Sequence, residues 1–213
     1  PVETTSDAFA AASLREPATA SLVLEDFLAA LASKQPTPGG GAAAAVAAAV
    51  GMAAATMSAA YTQRKKDVES GAAELATAIA KALNVPVMLE VADADGHAYA
   101  NLQRSWKEPA MPAAERAEIE QEALNVPTDL IGICHNYVQM IETFLPHCNP
   151  NITSDAKVGI HLLAGAARAA FQTAAVNKPS AEVKAKLLWQ VAARPRAGSR
   201  DCLAARPWPP PRA

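Results

Sequence analysis

PTPGGGAAAAVAAAVGMAAATMSAAY, residues 36–61, decides the fold. Its opening, Pro36-Thr37-Pro38-Gly39-Gly40-Gly41, excludes regular structure: two prolines remove backbone donors and three glycines open backbone conformations that other residues avoid. From Ala42 to Tyr61 the chain carries no charge, and alanine, the strongest helix former, dominates. A loop therefore leads straight into a helix over about 41–61. The length invites a membrane-spanning reading, but alanine contributes little to insertion, and Gly51, Ser58 and the threonines suit tight helix contacts inside a protein. A buried central helix is expected.

On the N-terminal side, Leu22, Leu24, Phe27, Leu28 and Leu31 recur with helical spacing, with Glu25 and Asp26 opposite and Ser21 placed to cap the start. On the C-terminal side, Leu75, Ile79, Leu83, Val87, Leu89 and Val91 mark a helical run over 67–103, interrupted near Pro86. Pro109 and Pro112 end it. A further run over 113–144 is charged in its first half and apolar in its second, and Pro127 is expected to divide the two. Both interruptions carry the same pentapeptide, Ala-Leu-Asn-Val-Pro, at 82–86 and 123–127. Cys148-Asn149-Pro150-Asn151 predicts a turn, after which Ser154 or Asp155 caps a last helix to about Val176.

These elements predict an all-α fold: a single-domain multi-helix bundle with kinked long helices over 21–180, an N-terminal extension over 1–20, and a C-terminal extension over 181–213. A short helical piece is expected to reach Val191, and the Arg/Pro-rich remainder is expected to be disordered. Aromatic residues make up only 5% of the chain, few for a monomeric core of this size, so a homodimer is expected. A net charge of −2 argues against a nucleic-acid partner. Three cysteines without a paired framework, and a first twenty residues without an export pattern, fit a cytoplasmic protein.

Three groups of residues can carry chemistry. The glycine loop is either a tight interhelical corner or a place where a flat ligand approaches the main chain. Asp95, one turn from Tyr99, and Asp155 are candidate acids, with surface exposure and helix capping as their respective alternatives. Arg64-Lys65-Lys66 either complements the C-terminal end of the alanine helix or offers a lysine to an anionic substrate. Cys134-His135 and His147-Cys148 lie too far apart along one helical run for a single metal site.

The order of these segments resembles one family. Phe27-Leu28-Ala29-Ala30-Leu31-Ala32-Ser33, then Pro36 to Ala42, then Met57 to Lys66, Asp95-Gly96-His97-Ala98-Tyr99, Val126-Pro127 and Asn149 to Gly159 resemble the methenyltetrahydrofolate cyclohydrolase/formiminotetrahydrofolate cyclodeaminase family over about residues 20–178. Ser105-Trp106-Lys107-Glu108-Pro109 and Val176-Asn177-Lys178-Pro179 depart from its pattern.

The resemblance implies an all-helical homodimer with a folate cleft near the glycine loop. It implies one of two reactions: hydrolysis of 5,10-methenyltetrahydrofolate to 10-formyltetrahydrofolate, or cyclisation of 5-formiminotetrahydrofolate with loss of ammonia. Because no formiminotransferase segment is present, hydrolysis is the expectation and cyclodeamination the alternative. A non-enzymatic helical assembly module is the competing class. On the enzymatic reading Asp95 or Asp155 is the base, and Lys65 or Lys66 donates a proton or pairs with the substrate's carboxylate. Thr37, Pro38, Gly39, Gly40 and Gly41 lie against the ligand beside Tyr99, and Asn149, Asn151 and Ser154 hold its polar edges. No metal, nucleotide cofactor or membrane partner is implied.

Overall fold

The computed structural model describes residues 19–192, and every regular element in it is helical: α1 (Thr19–Ala32), α2 (Gly40–Ala60), α3 (Lys65–Glu69), α4 (Ala72–Ala82), α5 (Val85–Lys107), α6 (Ala113–Phe144), a 3-10 turn (Leu145–His147), α7 (Thr153–Val176) and α8 (Ala181–Ala192). The all-α bundle is as expected.

The alanine helix α2 is central and antiparallel to α7. Gly40 faces Thr173, Gly51 faces Leu162, and the last turn of α2 meets the Asn149 turn. Small residues make this approach possible. A Cβ added at Gly159 would come within 2.7 Å of Gly51 O and 2.9 Å of Ala55 Cβ, so the two backbones pack nearly in contact. Ala45, Ala48, Met52, Ala55 and Ala59 fill the central core with Ile131, Cys134 and Ile141 of α6 and Ile160, Leu163 and Ala170 of α7. α2 is long and apolar enough to cross a membrane, as is the 72–107 stretch, but much of its surface is taken up by this core. A smaller cluster, Ala98, Leu102, Met111, Ile119 and Ala123, joins α5 to the first half of α6.

Several expectations are corrected. Ser21 lies inside α1 rather than at its start. The 67–103 run is three helices: Gly71, at φ 77°, separates α3 from α4 in a left-handed conformation that glycine adopts without a Cβ penalty, and Leu83-Asn84 separates α4 from α5. Pro86 thus starts α5, where its missing N–H costs nothing. Pro127, expected to divide 113–144, sits inside one continuous 32-residue helix. Neither Ser154 nor Asp155 caps α7. Ile152 holds the cap position, and Ser154 Oγ donates to Asp155 Oδ2 instead (3.0 Å).

The domain also extends beyond residue 180. α8 packs on α6 and α7 with Leu187 fully buried, so 181–192 belong to the core rather than to an extension. The expected disorder from Ala193 onward, and the extension before Thr19, lie outside the described residues.

Candidate functional site

At the start of α2 the glycines leave backbone N–H groups without helical partners. The first intrahelical bond runs from Ala43 N–H to Gly39 O (3.0 Å). The Ala42 N–H is satisfied from another helix: it donates to Asp95 Oδ2 of α5 at 2.9 Å. Asp95 therefore caps α2 in trans, its charge set at the positive end of the helix. Gly41 permits this, because any side chain there would occupy the carboxylate's own space. Asp95 is half-buried, and burial pushes its pKa above the ordinary carboxylate value, opposed in part by the Ala42 N–H. Asp93, two residues away, is exposed.

This carboxylate opens onto a cavity of about 650 Å³. Thr37 and Gly39 to Gly41 form one edge, and the Thr37–Pro38 peptide bond is cis. α5 supplies a stripe at helical spacing, Asp95, Ala98, Tyr99, Leu102 and Trp106. Tyr99 and Trp106 meet edge to face with ring centroids 6.2 Å apart, and Trp106 stays 61% exposed. α6 contributes Ala123. The last turn of α7 closes the far wall with Gln172, Thr173, Val176 and Asn177. The result is a mostly apolar slot with aromatic rings on one side, amide and hydroxyl groups on the other, and one carboxylate at the head.

Asp95, Thr37, Gly39, Gly40, Gly41 and Tyr99 are thus brought together. Pro38 lies within the same loop. The remaining expected residues gather at the other end of α2, about 30 Å away along a 21-residue helix. There Lys65 has a 92% exposed side chain and lies 3.9 Å from Glu69, and Lys66 is also exposed. Arg64 pairs with Asp67 at 2.7 Å, and its guanidinium holds the Asp67 pKa below the usual range.

Asn149 at this end clamps the fold. Its Nδ2 donates to Tyr61 O (2.9 Å), its N–H to Thr62 Oγ1 (3.0 Å), and its Oδ1 accepts from Asn151 N–H (3.1 Å). The amide that was expected to hold a ligand therefore closes the C-terminal end of α2. Asn151 follows in the same turn, and Ser154 and Asp155 lie in the first turn of α7. Within one chain, none of Asn149, Asn151, Ser154, Asp155, Lys65 and Lys66 reaches the cavity.

Sequence reasoning missed Leu102, Trp106, Ala123, Gln172, Thr173, Val176 and Asn177. The α5 members extend the Asp95–Tyr99 spacing by further turns and could have been found from that period. The α7 members could not, because their place follows from the antiparallel packing on α2. No group of three or more His, Cys, Asp or Glu side chains suited to a metal ion occurs among the described residues. Burial pushes the Cys134 thiol up to about 12, which leaves it protonated and inert.

Residues 23–189 match the formiminotransferase-cyclodeaminase family. Among solved structures, the chain is similar to formiminotetrahydrofolate cyclodeaminase from Thermotoga maritima, with a TM-score of 0.70 and 25% sequence identity, over 81% of this chain and 88% of that one. No curated protein matches this chain.

Proposed function

Because the chain belongs to the formiminotransferase-cyclodeaminase family, we propose that it closes the ring of 5-formiminotetrahydrofolate to 5,10-methenyltetrahydrofolate with release of ammonia, and that Asp95 moves the proton. The observation that carries this reading is the Asp95 carboxylate, half-buried and fixed by the Ala42 N–H at the head of an aromatic-lined slot. A pKa raised by burial suits a group that must both take and return a proton. The Thermotoga protein bears the cyclodeaminase name, and the chain spans 88% of it, which supports cyclodeamination over the expected hydrolysis.

The step balances with one carboxylate. N10 attacks the carbon of the protonated formimino group, giving a tetrahedral carbon between N5 and N10. Asp95 takes the proton from N10 and delivers it to the former imino nitrogen. Ammonia departs, and the positive charge is left spread over N5, the bridge carbon and N10. Asp95 returns to its ionised form, placed to stabilise that cation. Tyr99 and Trp106 flank the flat aminobenzoyl part of the substrate, and the Gly39–Gly41 edge admits the ring system close to the main chain. Hydrolysis of the methenyl compound would use the same carboxylate: it takes one proton from the adding water and returns it to N5 as the C–N5 bond breaks, while the remaining hydroxyl proton leaves to solvent as the formyl C=O forms.

A cytoplasmic homodimer is part of this reading. Val50 and Met57 of α2 and Tyr61 at its C-terminal cap remain exposed at helical spacing, as does Val158 of α7, and offer apolar surface for it. A concentration-independent monomer mass in sedimentation would contradict the dimer. The activity is tested by adding purified protein to 5-formiminotetrahydrofolate and following the methenyl absorbance together with ammonia. Both are expected to rise in step. Decay of added methenyltetrahydrofolate without ammonia release from the formimino compound would assign hydrolysis instead, and inertness toward both would leave the helical-module reading.

A further inference from the structure

Pro127 stands in the middle of α6, where it cannot donate a backbone hydrogen bond to the carbonyl four residues back. That carbonyl belongs to Ala123, a buried residue on the cavity wall. An unpaired buried acceptor is costly, and this one is satisfied from outside the helix: Asn177 Nδ2 donates to Ala123 O at 2.7 Å. Asn177 itself is held firmly. It is the C-cap residue of α7, its N–H bonds Ala174 O at 3.1 Å, and Lys178 turns the chain away at φ 52°.

The bond to Ala123 also decides which way the Asn177 amide faces. With nitrogen toward the carbonyl a hydrogen bond forms; with oxygen toward it two acceptors would oppose each other. The orientation is therefore fixed by the proline. Asn177 lines the cavity, and its Oδ1 makes no hydrogen bond among the described residues. We propose that Asn177 is a specificity residue of the site: its amide oxygen, oriented by the carbonyl that Pro127 leaves free, accepts an N–H of the ligand, from either the pterin ring or the aminobenzoyl amide. The assignment rests on the folate reading and deepens it.

A structural role and a recognition role are separated by removing the need for the amide. In Asn177→Ala the Ala123 carbonyl loses its donor, so stability and affinity both fall. In the double variant Pro127→Ala/Asn177→Ala the restored helical N–H satisfies that carbonyl, and the melting temperature is expected to return to the wild-type value or above it. KM for 5-formiminotetrahydrofolate is expected to stay raised by about three- to tenfold, the effect of one lost hydrogen bond, with kcat within about twofold. If the double variant recovers the wild-type KM together with its stability, Asn177 only satisfies the carbonyl and the assignment is overturned. If the wild-type chain turns over neither folate, the folate reading fails and takes the assignment with it. Competition by a tetrahydropterin without the tail, and separately by p-aminobenzoylglutamate, identifies the donor: inhibition by the fragment that carries it weakens in the double variant.

Discussion

Gly41→Ala places the demands of the site in one methyl group. A Cβ at that position would lie 2.8 Å from Asp95 Oδ2 and closer still to Oδ1 and Cγ, whereas ordinary contact begins at 3.4 Å. The carboxylate would have to retreat by about an ångström or more, ending its bond to the Ala42 N–H. A charge-assisted hydrogen bond of this kind contributes roughly 1.5–3 kcal/mol, offset by about 0.5–1 kcal/mol from replacing glycine in a helix. The variant should therefore lose about 1–2 kcal/mol of stability. The larger effect is on turnover, since displacing a catalytic group by about 1 Å costs on the order of a hundredfold.

Gly39→Ala and Gly40→Ala are the controls. Their added Cβ atoms would meet Asp95 Oδ2 and Thr173 Oγ1 respectively at 3.9 Å, an ordinary contact, so Asp95 should keep its place and kcat should stay within a few-fold, any loss appearing in KM because both glycines line the cavity. Initial rates of methenyl formation and urea titrations of the three variants make the comparison. Turnover in Gly41→Ala within about threefold of wild type would refute the placement of Asp95 at the reacting centre.

Asp95→Asn should abolish turnover while stabilising the fold at neutral pH, because the amide still accepts from Ala42 N–H without the cost of burying a charge. Since the folded pKa of Asp95 is raised, its favourable contribution is present at acid pH and is lost as pH rises through that value; melting curves of the two proteins should converge at acid pH and separate as pH rises. Asp67→Asn should show the opposite slope: the folded pKa of Asp67 is lowered by Arg64, so wild type is the more stable protein at neutral pH, and the difference shrinks as pH falls through the carboxylate range. Gly159→Ala should cost about 1–3 kcal/mol through overpacking against Gly51 and Ala55, read as a lower urea midpoint with KM little changed. A folate at a hundred times its Kd should stabilise the protein by about 2.7 kcal/mol, and no thermal shift with any folate would favour the helical module.

The near edge of the cavity was legible in the sequence, because the chemistry that marks the loop is local. Prolines and the first glycine at 36–39 break the helix, alanines from 42 onward demand it, and Asp95 and Tyr99 share a helix face by period alone. The far wall of the cavity and the remoteness of the Asn149 turn were not legible. Both follow from α2 and α7 running antiparallel, which seats Thr173 at one end of α2 and Asn149 at the other.

The two copies of Ala-Leu-Asn-Val-Pro state the division most plainly. The same five residues end a helix at 82–86 and continue one at 123–127. In each copy the proline denies a donor to the carbonyl of its alanine. At Ala82 the chain itself turns, and the Asn84 N–H reaches that carbonyl at 2.9 Å. At Ala123 the distant Asn177 amide supplies the hydrogen bond, and the helix runs on. The sequence by itself determined that each carbonyl would need another partner. Which partner it found, and hence whether the helix broke, was decided by the tertiary structure, because a residue 54 positions away is brought close only when α7 packs against its neighbours.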